Sequence, residues 1–171
     1  GFESAGGKVR VVKTASAGFE AEQVILAAGA FTPSVARDLK LNIPIQPARG
    51  YSLTMSATKQ MPSQALILGE RRIAVSPLGG LLRFTGRLEI GNYSMEPNPL
   101  WIQRIESFVR EYIQVDEKLD IKETWAGLRP VTPDGVPVIG RSPRHSNLVL
   151  ATGHAMLGRS LGPGTGQVVT E

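Results

Sequence analysis

Two stretches near the end of the sequence combine residue types that could bind an anion beside a flat ligand. In WAGLRPVTPDG, Arg129 follows an apolar segment, and a guanidinium there can form two parallel hydrogen bonds with a carboxylate. In LATGHAMLGRSLGPGTGQVV, Gly153 and Gly158 let backbone N–H groups approach such a ligand. Pro163 and Thr165 predict the start of a helix with a positively polarised N-terminus. The residues alone leave a plainer alternative open, in which the arginine forms a surface ion pair and the glycines form a turn.

The remaining residues indicate few other kinds of chemistry. The sequence has no cysteine and two histidines, which argues against a thiol nucleophile, a thiolate or multi-histidine metal site and a disulfide framework. It contains no Walker loop and no G-x-G-x-x-G motif that opens a helix after a strand. The 19 lysines and arginines are scattered, so the net charge of +4 does not indicate a nucleic-acid partner. No segment approaches the roughly 18 apolar residues of a membrane span.

Both strands and helices are predicted around these residues. Alternating valines predict a strand over residues 8–14, and an apolar run ending in small residues predicts a buried strand over residues 22–30. Thr32 as N-cap, followed by a proline, predicts a short helix over residues 32–41. A last buried strand is predicted over residues 147–153, directly before the glycine-rich loop.

The middle of the sequence predicts an antiparallel sheet with one helix. Residues 43–58 predict a long strand, interrupted early by a proline and a glycine, and residues 65–91 predict three short strands joined by turns. Apolar residues at helical spacing predict an amphipathic helix over residues 97–113. A further strand is predicted over residues 121–131. Because α/β material flanks this sheet on both sides, the order predicts an α+β fold with one domain inserted into another.

The closing part of the sequence resembles the C-terminal portion of the flavin-dependent D-amino-acid dehydrogenase and oxidase family, through GLRPVTPDGVPVIGRSP and NLVLATGHAMLGRSLGPGTG. That family's segment near the dinucleotide resembles VILAAGAFTPSVARDL, and the start of its substrate domain resembles IPIQPARGYSLTM. The resemblance is colinear over nearly the whole sequence. It implies the C-terminal fragment of a two-domain FAD-dependent oxidoreductase. An antiparallel substrate-domain sheet over residues 43–128 would be inserted between pieces of the FAD-binding α/β domain, residues 1–42 and 129–171.

The resemblance also implies roles for single residues. Arg129 would pair with the substrate carboxylate, and Tyr51 would line the substrate pocket or, alternatively, lie in the core. The strand end beside the FAD dinucleotide would comprise Ala27, Ala28 and Gly29. The loop along the isoalloxazine ring would comprise Gly153, His154, Met156, Leu157 and Gly158. The helix start near the pyrimidine end of that ring would comprise Gly164, Thr165 and Gly166. His154 is expected to be a hydrogen-bonding loop residue rather than an acid or a base.

The implied reaction oxidises the amine of a D-amino acid, or of a similar small amino acid, to an imino acid by hydride transfer to FAD. The FAD would be non-covalent, because the sequence has no cysteine to tether it. The implied partners are the amino-acid substrate and an N-terminal dinucleotide-binding half outside this sequence. A second copy of the chain and a quinone or membrane-peripheral electron acceptor are open alternatives. The expected location is the cytoplasm or the inner face of the membrane.

Two expectations concern the 171 residues by themselves. They should be inactive and should not hold FAD tightly, because the glycine loop that binds the pyrophosphate is missing. The strands at residues 8–14, 24–28 and 148–151 should lack sheet neighbours. An alternative from a different class is a non-catalytic α+β binding or interaction module that shares only the architecture.

Overall fold

The structure is a computed structural model that describes residues 1–58, 61–113 and 119–171. The chain divides into two compact units. The first unit comprises Gly1–Pro47 and Arg129–Glu171, and the second comprises Ala48–Leu128. The described residues contain both helices and strands, as the sequence predicts for an α+β fold.

The first unit begins with a three-stranded antiparallel sheet. Its strands are β1 (Phe2–Ala5), β2 (Lys8–Lys13) and β3 (Gly18–Glu20), in the order β1-β2-β3. The two-residue turn between β1 and β2 places Gly6 and Gly7 at φ +58° and +68°. Such a turn needs positive φ at both positions, which glycine adopts without strain. The strand predicted at residues 8–14 is confirmed.

A second sheet of the first unit contains a parallel pair of strands. Its members are β4 (Val24–Leu26), β10 (Val138–Arg141) and β11 (Leu148–Thr152), in the order β10-β11-β4. β11 runs parallel to β4 and antiparallel to β10. The core of this unit is formed by Val9, Leu26, Ala36, Leu39, Ile43, Ile45, Leu148 and Leu150. Burying each large aliphatic side chain there contributes about 1.5–3 kcal/mol.

The expectation that these strands lack neighbours is wrong. β2 lies between β1 and β3, and β11 lies between β10 and β4. β4 lies at the edge of its sheet and has β11 as its partner. The physical reason is that nearby hairpins supply β2 with antiparallel partners on both sides and β11 with β10, while β11 also pairs in parallel with the distant strand β4. The buried Asn147 side chain adds a tie to β2, accepting from Val9 N and donating to Val9 O, both at 2.8 Å.

The helix predicted at residues 32–41 is broken into shorter pieces. A 3₁₀ turn covers Gly29–Phe31, α1 covers Thr32–Val35, and a second 3₁₀ turn covers Ala36–Leu39. Lys40 then stops the segment in the left-handed conformation at φ 54°. The prediction of Thr32 as N-cap is also wrong: Phe31 holds that position, because the Thr32 hydroxyl is buried against a distant threonine instead.

The second unit is built on a five-stranded sheet in the order β6-β7-β8-β5-β9. The strands are β5 (Gln46–Ser56), β6 (Leu66–Leu68), β7 (Ile73–Leu78), β8 (Leu81–Ile90) and β9 (Ile121–Val131). The meander predicted over residues 65–91 is confirmed. The expected early interruption of the long strand is wrong, because β5 runs unbroken through Pro47 and Gly50. The irregularity is a β-bulge on its neighbour β8, where Arg87, at φ +61°, is the extra residue between the partners of Gly50 and Tyr51.

One amphipathic helix, α2 (Pro99–Tyr112), packs on this sheet. The Asn98 side chain caps it by accepting from Leu100 N at 3.1 Å, and Pro99 occupies the first turn. The side chains of Ile105 and Val109 form the buried face of the helix and pack in the core. That core also contains Tyr51, Leu53, Met55, Ile73, Val75, Leu82, Phe84, Leu119 and Ala126. The helix predicted over residues 97–113 is therefore confirmed within two residues at its start and one at its end.

Candidate functional site

Two of the segments singled out in the sequence leave the same edge of the parallel strand pair. β4 ends at Leu26 and is followed by Ala27, Ala28 and Gly29, and β11 ends at Thr152 and is followed by Gly153. Leu26 and Leu150 are register partners, so the carboxyl ends of the two strands are adjacent. In open α/β sheets, ligands bind outside the carboxyl ends of such strands. The structure thus brings together the two segments that the sequence assigns to a cofactor.

A buried pair of threonine hydroxyls fixes these two strand ends to each other. Thr152 Oγ1 donates to the carbonyl of Gly29 at 3.3 Å, so it accepts from Thr32 Oγ1, which lies 3.0 Å away. Both threonines are at most 1% exposed. This bridge holds the turn after β4, where Gly29 has φ +54°, against the end of β11.

The loop after β11 has a conformation that only glycine allows at its first position. Gly153 has φ +82°, and a Cβ there would lie 2.8 Å from Thr132 Cγ2 and 3.3 Å from Val138 N. Ala155, at φ +47°, donates its N–H to the carbonyl of Pro130 at 2.9 Å. The backbone of this loop is therefore packed directly against the end of β9. Two apolar side chains remain 75% and 57% exposed, those of Met156 and Leu157.

The helix that follows, α3, begins earlier than predicted. It covers Gly158–Thr170, with Leu157 as N-cap and Pro163 inside it. The prediction that Pro163 and Thr165 start the helix, with Gly164, Thr165 and Gly166 at its N-terminus, is wrong. The helix starts at Gly158, directly after the loop that Ala155 anchors to Pro130 of β9, and it continues through Pro163, which lacks an N–H for the helical ladder. The positively polarised end of α3 therefore lies at residues 158–160, whose first turn carries no acidic residue.

His154 is part of this loop and is bound to the same helix. Its Nε2 atom lies 2.9 Å from Thr165 Oγ1, so the loop and the middle of α3 are joined by a side-chain hydrogen bond. This placement agrees with the expectation of a hydrogen-bonding loop residue.

Arg129 is half-buried and has no acidic partner in the part of the chain that the structure describes. It lies in β9, half-buried, and its Nη1 atom is buried with no hydrogen-bond partner among residues 1–58, 61–113 and 119–171. Burial lowers the pKa of the Arg129 guanidinium, with no opposing contribution from a neighbouring carboxylate. An unpaired charge in such surroundings is unfavourable until an anion reaches it. The arrangement fits a guanidinium that binds the carboxylate of a ligand.

A second buried polar atom near Arg129 was missed in the sequence. Thr132 Oγ1 also has no hydrogen-bond partner in the described part of the chain, although the residue is only 4% exposed. Its methyl group lies against Gly153, so Thr132 forms part of the wall of the loop. The sequence around Thr132 does not indicate that its side chain is buried, because its contact is with Gly153, 21 positions away.

Tyr51 belongs to the second unit and its hydroxyl is already paired. The side chain is 0% exposed, and the hydroxyl donates to the carboxylate of Glu89. Burial, followed by that hydrogen bond, raises the pKa of Tyr51 to about 12. Arg49 donates to the same carboxylate oxygen from Nε at 3.2 Å and Nη2 at 2.7 Å. The structure places Tyr51 in the core of the second unit, and a contact with substrate stays a prediction.

Two other kinds of functional element, a metal centre and a membrane-spanning helix, are absent from the described residues. The described residues contain no group of three or more His, Cys, Asp and Glu side chains arranged to hold a metal ion. Within the same residues, no helix has both the length and the apolar character needed to cross a membrane.

Comparison with known proteins gives a consistent result. The family model described as FAD dependent oxidoreductase (DAO) matches residues 1–171. The D-amino acid dehydrogenase of Paramagnetospirillum magneticum is 38% identical over 168 residues, which cover 97% of this chain and 40% of that protein. The corresponding protein of Agrobacterium fabrum is 32% identical over the same shares. The chain therefore spans about two fifths of the length of these curated relatives.

Solved structures show the same fold at lower sequence identity. Glycine oxidase from Geobacillus kaustophilus superposes with a TM-score of 0.88 at 23% identity, over 99% of this chain and 45% of that one. L-proline dehydrogenase from P. horikoshii gives 0.85 at 22% identity, over 100% of this chain and 47% of that one. These likenesses confirm the predicted α+β fold class.

Proposed function

The chain belongs to the FAD-dependent oxidoreductase family, and we propose that it is the C-terminal portion of an enzyme that oxidises the amine of a D-amino acid or a similar small amino acid. The observation that carries this proposal is Arg129, a guanidinium buried on one nitrogen without a partner in the described chain. An amino-acid substrate always offers a carboxylate, which is the group that a guanidinium binds most specifically. The D-amino acid dehydrogenases among the relatives support the same substrate class.

The first unit fits FAD in two respects. Gly153 lets the loop after β11 turn away at the strand end and pack closely against Thr132 and Val138, and the carboxyl ends of β4 and β11 lie side by side. We assign the dinucleotide edge to Ala27, Ala28 and Gly29. The loop along the isoalloxazine ring is assigned to Gly153, His154, Met156, Leu157 and Gly158. The polarised helix end belongs to residues 158–160, so Gly164, Thr165 and Gly166 no longer supply it.

The residues of this chain bind and orient rather than transfer protons. Arg129 holds the substrate carboxylate and so restricts the directions in which the substrate Cα–H bond can point. Restricting orientation in this way can supply a large part of a rate enhancement. Met156 and Leu157 present apolar surface that excludes water from the same place. FAD, when bound, supplies the acceptor for the hydride of that Cα–H bond. The imino acid released then hydrolyses in water to an oxo acid and ammonia.

In this proposal the first unit is part of the FAD-binding domain and the second unit is the substrate domain. Tyr51 belongs to the second unit, and its hydroxyl would have to leave Glu89 before it could bind any ligand. The chain has no cysteine, so the proposed FAD is non-covalent.

The test uses the protein expressed from its complete coding region. We expect a yellow protein that contains FAD and whose visible absorbance bleaches when a D-amino acid is added without oxygen. A panel of D- and L-amino acids, with glycine, would identify the substrate. A colourless protein that binds no FAD would overturn the proposal and favour a non-catalytic binding module.

The 171-residue chain is the matched control. We expect it to bind FAD weakly, because the contacts that cradle the pyrophosphate of FAD in this class of fold come from a glycine loop that its sequence does not contain. Titration of the purified chain with FAD, followed by flavin fluorescence, measures this. Tight, sub-micromolar binding would show that the cofactor site is complete within residues 1–171.

A further inference from the structure

The loop over residues 154–157 adopts a conformation that needs outside support. Ala155 has φ +47°, a left-handed conformation that an L-residue with a Cβ adopts at a cost of about 1 kcal/mol or more. Such a residue persists only where its surroundings determine it. The question is therefore which contacts of the first unit hold this loop.

Two hydrogen bonds provide that support from opposite sides. On one side, Ala155 N donates to the carbonyl of Pro130 in β9 at 2.9 Å. On the other side, His154 Nε2 and Thr165 Oγ1 are 2.9 Å apart. Thr165 is therefore the residue that fixes the His154 ring within the described chain. The loop is thus held between the end of β9 and the middle of α3.

The hydrogen bond to Thr165 is important for the position of α3, because few apolar side chains of this helix are packed against the rest of the chain. None of its residues from Gly158 to Thr170 is buried. The hydrogen bond between His154 and Thr165 therefore helps to determine where the helix begins and in which direction its first-turn N–H groups point. Those N–H groups, together with Met156 and Leu157, form the surface that the proposed function assigns to the isoalloxazine ring.

We propose that His154 and Thr165 are a positioning pair for this surface. The Thr165 hydroxyl acts through His154 and does not touch the cofactor, which replaces the role expected for Thr165 from the sequence. The pair sets the loop at residues 154–157 and the start of α3 in the arrangement that binds the flavin ring. This inference rests on the proposed FAD site, and it adds residues that act on that site indirectly.

The test removes the Thr165 hydroxyl with little change of shape. In the complete protein, Thr165→Val should weaken FAD binding about three- to tenfold, the effect of losing one hydrogen bond. The visible spectrum of the bound flavin should shift, because the ring would sit in a looser environment. Thr165→Ser restores the hydroxyl and should restore both properties. Fluorescence titration of the apoprotein gives the dissociation constant, and the absorption spectrum gives an independent signal.

Thr170→Val is the matched control. Its hydroxyl lies on the same helix and, among the described residues, bonds to the carbonyls of Gly166 and Gln167 within that helix. It should leave FAD affinity and the flavin spectrum unchanged. A His154→Gln variant combined with Thr165→Val should bind FAD no more weakly than the weaker single variant, because both changes remove one interaction.

The outcomes separate this inference from the proposed function. If the wild-type protein binds no FAD, the proposed function fails. If the wild-type protein binds FAD and Thr165→Val has the same affinity and spectrum, only the positioning role is overturned. If Thr165→Ser is as impaired as Thr165→Val, the methyl group of Thr165 is responsible, and the hydrogen-bond account is wrong.

Discussion

Arg49 in the second unit and Arg129 in the first are both withdrawn from solvent, but only Arg49 has an acidic partner among the described residues. Arg49 donates to Glu89 from two nitrogens and to the backbone carbonyls of Ser94 and Glu96. Arg129 lies in its strand with one nitrogen buried and unpaired. The same side chain thus has a complete set of partners in one unit and an incomplete set in the other.

The difference extends beyond the two arginines. Three buried side-chain atoms in the described chain have no hydrogen-bond partner: Arg129 Nη1, Thr132 Oγ1 and His145 Nδ1. All three lie in the first unit, and two of them are within the segment 129–132. Folded proteins pair nearly all such atoms, so a local group of exceptions needs a reason. We infer that the second unit is stabilised by its own contacts, whereas the end of β9 in the first unit is arranged for a ligand.

The largest expected effect follows from Arg129. In the complete enzyme, Arg129→Met and Arg129→Lys should lower kcat/KM by about 30-fold to several thousand-fold. Losing one member of a charge-assisted pair costs about 2–5 kcal/mol, and lysine lacks the planar fork of arginine. Steady-state kinetics with the best D-amino acid measures this.

Arg129→Met should not lower stability, because the buried Arg129 Nη1 atom has no hydrogen-bond partner among the described residues. Thermal unfolding of the apoprotein should give a midpoint for Arg129→Met equal to or above that of the wild type. Arg71→Met is the control, since Arg71 pairs with Glu111 on an exposed surface. Kinetics that are unchanged in both Arg129 variants, or a large loss of stability in Arg129→Met, would break the comparison.

Arg49→Met, in contrast, should lower the free energy of unfolding. Its removal leaves the Glu89 carboxylate, which is 34% exposed, without its cationic partner, and it takes the Arg49 donor away from two backbone carbonyls. Breaking a buried pair costs about 3–5 kcal/mol, and the partial exposure of Glu89 places the expected loss near the lower end. Urea unfolding of the complete apoprotein measures the free energy. A loss no larger than that of Arg71→Met, which should be under about 1 kcal/mol, would contradict this account of the second unit.

Two glycine variants sharpen the comparison within the first unit. Gly153→Ala should destabilise the protein by about 1–3 kcal/mol and weaken FAD binding, because alanine at φ +82° is strained and its Cβ would meet Thr132. Gly162→Ala, in α3, has open space around its Cβ position among the described residues and should be neutral or stabilising by up to about 1 kcal/mol. Unfolding free energies and FAD titrations of both variants check this. Equal effects of the two substitutions would show that the loop is not a close-packed cradle.

The smallest effect concerns pH and the second unit. Folding raises the pKa of Tyr51 from 10.0 to about 12. A group with a raised pKa contributes stability that is present in full below the unfolded value and is lost as the pH rises toward the folded value. The wild type should therefore lose stability between about pH 10 and pH 12, and Tyr51→Phe should lose less over that interval. Unfolding free energies measured across this range would give parallel curves for the two proteins if the prediction is wrong.

Patterns in short stretches of sequence predict the helices and strands that depend mainly on residues close together in the chain. The alternation in β2, the turns of the meander and the helical spacing in α2 identify those elements, because one buried face sets their period. The start of α3 could not be predicted, since it depends on contacts between residues 153–157 and β9. The role of Thr32 was missed for the same reason, because its hydroxyl partner is Thr152, 120 residues away.

The residues of the candidate site also divide into those that the sequence identifies and those that only the fold reveals. Arg129 and Gly153 were identified from residue type and from the family resemblance, and the structure gives each a physical reason. The Arg49–Glu89 pair joins residues 40 apart on neighbouring strands, and its formation depends on a strand register that the sequence does not specify. Such pairings can be found only once the strands are aligned.

The most direct test of the central claim compares two substrates that differ only in the carboxylate. The complete FAD-loaded enzyme and its Arg129→Met variant would be mixed rapidly, without oxygen, with the preferred D-amino acid and with the amine that lacks its carboxylate. The decay of flavin absorbance gives the apparent second-order rate constant for each. We predict that the wild type prefers the amino acid over the amine by at least about 30-fold. In the variant this preference should fall to near unity, because without the guanidinium the substrate carboxylate has no partner to bind. An equal preference in the two proteins would show that Arg129 does not bind the substrate carboxylate.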